Sequence, residues 1–243
     1  MLRNPSFFPL IFFGFVFSST TLLAEVASQP GVDELYAVFE KFRSSYDTVQ
    51  DYSARFHKEE RSESGKWQKE VLDFRFKKPF GVRIKWVHGP KKGREVVFVE
   101  GKNNNKIIVK MGGLISILIP KISLDPNSNL AKDEAGHTIR EAGIGYLMEE
   151  ILKVTEKAYA KGDLTLKLLE KKNSSGSGNI LKIERRLPHG KGYATDRLVI
   201  YVDEDLGIPV GVERYDSNDK LFGKYYYQEL KTNLGLKDEE FKL

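Results

Sequence analysis

Four histidines, His57, His88, His137 and His189, supply all the imidazole in the 243-residue sequence. No two stand at the spacing of a helical HExxH zinc pair, so no metal site is expected of them. The sequence holds no cysteine, which removes thiol nucleophiles, thiolate metal ligands, disulfides and a cysteine for lipid attachment. Serine chemistry fares no better: Gly113-Leu-Ile-Ser116 lacks the second glycine of a G-x-S-x-G elbow. Gly143-Ile-Gly145-Tyr-Leu-Met148 opens like a dinucleotide fingerprint but puts Met148 where the third glycine belongs, and reads as a helix start. The acidic runs Asp203-Glu204-Asp205 and Asp238-Glu239-Glu240 offer too few oxygens for calcium. No catalytic residue, metal or cofactor is expected, and the chain reads as a non-enzyme.

What the side chains do offer is apolar surface. Phe74, Phe76, Trp86, Phe98, Tyr225 and Tyr227 fall on one phase of successive period-two segments. Such a face fills a small barrel or lines a cavity for an apolar ligand, and spacing alone does not choose between them.

The elements that would position these residues follow from periodicity. Leu35, Val38, Phe39, Phe42 and Tyr46 predict one amphipathic helix capped by Asp33. Alternation at Tyr52, Ala54 and Phe56, at Leu72, Phe74 and Phe76, and at Val82, Ile84 and Trp86 predicts strands with one wet face. Turns at Ser64-Gly65, Lys78-Pro79, Gly89-Pro90 and Gly101-Lys102 join them into an antiparallel meander, continued by strands at 95–100 and 106–111. From Ser123 a loop and helix start are expected. Ile144, Leu147, Met148, Ile151, Leu152, Thr155 and Tyr159 then form a helical stripe, making a mostly helical insert at about 113–160. Five more strands follow at 164–170, 180–186, 197–202, 209–215 and 222–230, about ten in all by this pattern reading. A long sheet wet on one face must curl around something, and the helices are the natural filling.

The N-terminus places Arg3 before an apolar run from Phe7 to Phe17 and ends in Leu22-Leu23-Ala24, the order of a signal peptide at 1–24; an uncleaved anchor is the alternative. The expected compartment is the periplasm. Lysines and arginines give a net charge of +5 but alternate with Asp and Glu, as in Lys58-Glu59-Glu60-Arg61. That pattern reads as solvated strand face and excludes a nucleic-acid stripe. The run Lys110-Met-Gly-Gly-Leu-Ile-Ser-Ile-Leu-Ile-Pro120 is too short to span a bilayer, so membrane contact is expected to be peripheral. If helical it puts Leu114, Ile117 and Leu118 on one face, as a plug over a concave sheet; if extended it continues the strand from Ile107.

Asp51-Tyr-Ser-Ala-Arg-Phe56, Lys77-Lys-Pro79, Arg83-Ile-Lys-Trp86 and Gly89-Pro90 resemble the N-terminal half of the LolA-like lipoprotein-carrier superfamily. Leu206-Gly-Ile-Pro209, Val212-Glu-Arg-Tyr215, Asp219-Lys-Leu-Phe222 and Leu230-Lys-Thr-Asn233-Leu-Gly-Leu236 resemble its closing half. The segment Gly136-His-Thr-Ile139-Arg140 to Gly145 is similar to an uncharacterised family of exported bacterial proteins allied to the carriers. Lys58 departs from the pattern, standing where the carriers usually have glutamine. The resemblance implies a mainly β (α+β) fold: a strongly curved, unclosed antiparallel sheet, or half-barrel, as a single domain over 25–243 with helices covering its concave face. It further implies non-enzymatic holding of lipid or lipoprotein acyl chains in an apolar cavity, with a lipid or acylated protein as partner. The expected lining is Phe74, Phe76, Trp86, Phe98, Leu114, Ile117 and Leu118, with Arg83 at the rim. A second functional class, an envelope sensor or scaffold binding another envelope protein through the same face, stands beside it.

Overall fold

The computed structural model describes residues 30–61, 65–113, 118–119, 121–133, 136–173, 179–193 and 195–243. The first meander consists of β1 (Asp51–Arg61), β2 (Trp67–Lys77), β3 (Gly81–His88), β4 (Glu95–Val99), β5 (Ile107–Lys110) and β6 (Lys121–Leu124). The second consists of β7 (Thr165–Asn173), β8 (Asn179–Arg186), β9 (Arg197–Asp203), β10 (Ile208–Tyr215) and β11 (Leu221–Thr232). They join where β1 pairs with β11, giving one sheet in the order β6-β5-β4-β3-β2-β1-β11-β10-β9-β8-β7. All pairings are antiparallel, and β6 and β7 remain edges among the described residues, so the sheet is unclosed as the resemblance implies.

β6 is the strand that the sequence reading did not contain. Its four residues lie where a loop and helix start are expected, but Ile122 and Leu124 pair with Val109 and Ile107 on the edge of β5. The exposed apolar edge of β5 captures a segment too short to announce itself by alternation.

The predicted first helix is two: α1 (Val32–Glu40) and α2 (Phe42–Asp47), separated at Lys41. Gly31 takes the N-cap position, and Asp33 sits in the first turn, accepting a hydrogen bond from the Tyr159 hydroxyl at 2.9 Å. The break lets Phe39 and Phe42 both bury almost completely, with ring centroids 5.1 Å apart. α3 (Ile144–Ala160) follows the predicted stripe, burying Ile144, Met148, Ile151, Leu152 and Thr155. It begins at Gly143, whose φ of 107° suits glycine. Arg43 of α2 ties itself to α3 through Glu149 at 2.9 Å. The helices lie against the sheet, α1 on β7 and both α2 and α3 on β10.

Between β5 and β7 the chain holds β6, 3-10 turns at Asn129–Ala131 and Ile139–Glu141, and α3. Residues 1–24, where a signal peptide is expected, and Leu114 and Ile117 lie outside the described residues. No helix among the described residues is long and apolar enough to cross a membrane.

Two of the sequence motifs meet in space. The buried carboxylate of Asp51, at the start of β1, accepts hydrogen bonds from the backbone N–H groups of Leu234 (2.6 Å) and Leu236 (3.0 Å). Asn233 reciprocates, its Oδ1 accepting from the N–H of Gln50 at 2.7 Å and its Nδ2 donating to the carbonyl of Thr48 at 3.2 Å. Beyond this knot Leu236 and Phe241 bury against Val97 on the outer face of the sheet.

Candidate functional site

The inward phase of each strand changes character along its length. On β1 it runs Tyr52, Ala54, Phe56 and then Lys58 and Glu60; on β2 it runs Phe76, Phe74, Leu72 and then Glu70. The register sets Lys58 opposite Glu70 and Phe56 opposite Leu72, so the apolar residues gather at one end of the concave face and the charged ones at the other. At the apolar end the face is solid core: Tyr52 stacks on Phe74 and Phe76, and its hydroxyl accepts the N–H of Ile144 at the start of α3, 2.8 Å away.

Between sheet and α3 the packing opens into a cleft of about 560 Å³. Phe74, Ile84, Trp86, Val109, Tyr225 and Tyr227 form part of its floor, Ile122 and Leu124 of β6 its side, and Tyr146, Leu147 and Glu150 of α3 its roof. Its size falls within the range of about 300–1,000 Å³ that small-molecule pockets occupy.

The expected lining residues divide by how far along the strands they sit. Phe74 and Trp86 line the cleft. Phe76 and Phe98 share the same phase but lie at the filled end, Phe76 between Tyr52 and Phe80, and Phe98 fully buried beneath Phe80. Leu118 is 85% exposed and does not reach the cleft. Arg83 points to the opposite face, where it pairs with Glu95 at 2.7 Å and donates to the Glu240 carbonyl at 3.0 Å, helping to hold the C-terminal tail. The structure therefore brings Phe74 and Trp86 together and leaves Phe76, Phe98, Leu118 and Arg83 elsewhere.

The charged end is legible in strand alternation and in no motif of residue types. Continuing the inward phase past Phe56 lands on Lys58, the position that departs from the carrier pattern. Its ammonium, largely shielded from solvent, bonds Glu60 at 2.8 Å and Asp133 at 3.1 Å. The Tyr225 hydroxyl donates to Glu60 at 2.8 Å. Asp133 also accepts the backbone N–H of His137 at 2.9 Å and lies 3.3 Å from its Nδ1, so these two residues are clasped together and, through Lys58, to the floor. Burial raises the Asp133 carboxyl, but His137 and Lys58 outweigh it and leave it well below the usual carboxylate range. The bond to Asp133 raises His137 above its ordinary 6.5 against a smaller opposing effect of burial. A raised histidine pKa means that this part of the clasp is fully present below pH 6.5 and is lost as pH rises through the higher folded value. An NMR titration of His137 is expected to give a midpoint above 6.5 that moves down in Asp133→Asn; a midpoint unmoved by the substitution would dissolve the clasp.

Among the described residues no three His, Cys, Asp or Glu side chains gather as metal ligands do.

A family model described as "Protein of unknown function (DUF1571)" matches residues 49–243. Similar solved structures include the lipoprotein LppX of Mycobacterium tuberculosis, 11% identical over 84% of this chain and 99% of that one, with a TM-score of 0.48. A LolA superfamily protein from Nitrosomonas europaea is 11% identical over 86% and 97% of the two chains, with a TM-score of 0.38. In the Pseudomonas aeruginosa MucA/MucB complex, the matching chain is 12% identical over 85% of this chain and 60% of its own, with a TM-score of 0.47. No curated protein matches the sequence.

Proposed function

The chain belongs to the DUF1571 family, and from that premise and the graded cleft we propose that it is a non-enzymatic, exported binding module that holds acyl chains of a lipid or acylated protein in the periplasm. The observation that carries this reading is the opening between α3 and the aromatic floor, apolar at its inner end and charged at its outer one. A cavity of this make-up fits an amphiphile better than a wholly apolar or wholly polar ligand. Each buried methylene contributes roughly 0.8 kcal/mol, so about ten of them offset the ordering of a flexible chain and leave a usable surplus. The N-terminal signal pattern and the LolA-like sequence motifs support the compartment and the ligand class.

Trp86 provides the test. The sequence holds two tryptophans, and Trp67 is 41% exposed at the start of β2 while Trp86 lines the cleft. In Trp67→Phe, a bromine-labelled fatty acid is expected to quench the remaining emission saturably, because heavy-atom quenching needs contact. An unlabelled acid should reverse the quench. Absence of any saturable quench, together with no lipid extracted from protein purified from its own compartment, would remove the reading; recovery of one envelope protein by crosslinking with the cleft empty would replace it by the scaffold role.

A further inference from the structure

On β8 the inward residue level with the charged end of the cleft is Arg185. It is 2% exposed, and it lies beneath α3, where its Nη1 donates to Thr155 Oγ1 at 3.2 Å and to the Ile151 carbonyl at 3.4 Å. Its Nε is buried with no hydrogen-bond partner. The register carries this row across the sheet, Arg185 opposite Leu198 and Leu198 opposite Arg214. Residues directly opposite on neighbouring strands share a face, so the two arginines stand two strands, or roughly 10 Å, apart on the concave side. Arg214 lines the cleft, its guanidinium 5.5 Å from the Tyr225 ring. Neither arginine forms an ion pair among the described residues, although Glu141 and Glu150 face the same cleft.

Two like charges in one row beneath a helix, one of them almost wholly dehydrated, cost the fold free energy unless an anion compensates them. Burial, and secondarily the charge of Arg214, push the Arg185 guanidinium down to about 10. A buried guanidinium that only stabilised the fold would be expected to have a carboxylate partner; this one has hydroxyl and carbonyl partners and a second arginine.

The geometry points to an anion site at the charged end of the cleft, in which Arg214 contacts a carboxylate or phosphate group and Arg185 supports it from behind through its field. The site rests on the reading of the cleft as an acyl-binding groove, which it deepens: the preferred ligand is an anionic amphiphile whose chain lies along Phe74 and Trp86.

Two titrations test it and separate the source of the anion. Inorganic phosphate is expected to raise the thermal midpoint saturably in the wild type, not in Arg214→Gln, and more weakly in Arg185→Met. Without phosphate, Arg185→Met should be no less stable than wild type, since it removes an unpaired buried charge; a merely structural arginine would leave that variant destabilised. Separately, a fluorescent fatty acid is expected to bind at least tenfold more tightly than its methyl ester, and Arg214→Gln to bring the two together by weakening only the acid. Acid preference without a phosphate response assigns the site to a lipid head group, and a phosphate response with equal acid and ester binding assigns it to a free anion. Equal binding of acid and ester with no Arg214-dependent phosphate effect overturns the anion site while the cleft reading stands. If neither lipid probe binds but phosphate still stabilises through Arg214, the acyl reading fails and the anion site survives it.

Discussion

Asp51→Ala is expected to lower the free energy of unfolding by about 4 kcal/mol, a large part of the stability of an ordinary domain. The carboxylate is 5% exposed and accepts two backbone N–H groups, those of Leu234 and Leu236. Removing it orphans two donors at once, the buried Leu236 N–H and the partly buried Leu234 N–H, each costing about 1–3 kcal/mol. The damage should spread along the tail, because Leu236 leads to Phe241, which is buried against Val97. Asp51→Asn keeps one good acceptor and should lose roughly half as much, about 2 kcal/mol. Urea denaturation followed by tyrosine and tryptophan emission measures both. Equal and small losses would show that the tail is held by its apolar contacts alone.

The second large effect is on binding. Ala142 is partly buried just before α3 and lines the cleft. Ala142→Trp would place an indole in the opening and displace about four methylenes of a bound chain, weakening long-chain probes by about 3 kcal/mol, roughly a hundredfold. Chain length provides the internal control. Probes short enough to stop before the indole should bind as they do to wild type, and Trp86→Ala, which enlarges the floor, should shift preference towards longer chains. A uniform loss across chain lengths would mean that Ala142→Trp distorts the cleft instead of filling it.

These expectations show which parts of the molecule could be read from its sequence. Alternation placed the aromatic residues on one face because a strand's period is two and the buried face tolerates little else. It gave the face but no position along it, so Phe76 and Phe98 could not be distinguished from Phe74 and Trp86 before the register and the seat of α3 were known. Arg83 lies on the phase opposite Val82 and Ile84, and that parity already argued for the outer face. The α3 stripe was legible because it spans several turns; β6 was not, since Ile122 and Leu124 become a strand only beside β5. The Asp133–His137 clasp has no local signature at all, because its third member, Lys58, comes from a strand 75 residues away. Lys58 was visible as a departure from the carrier pattern, and its meaning appeared only with the polar partners that converge on it.

The pairing of β1 with β11 has a consequence for the order of events in time. The first strand in chain order takes its second neighbour from Leu221–Thr232, and its opening residue is fastened by Leu234 and Leu236. The seam at the middle of the sheet therefore stays open until Leu221–Thr232 is available to pair. Such long-range closure makes for slow folding. Before the seam closes, the two meanders lack the one hydrogen-bonded edge they share, so its closure is the step expected to limit folding.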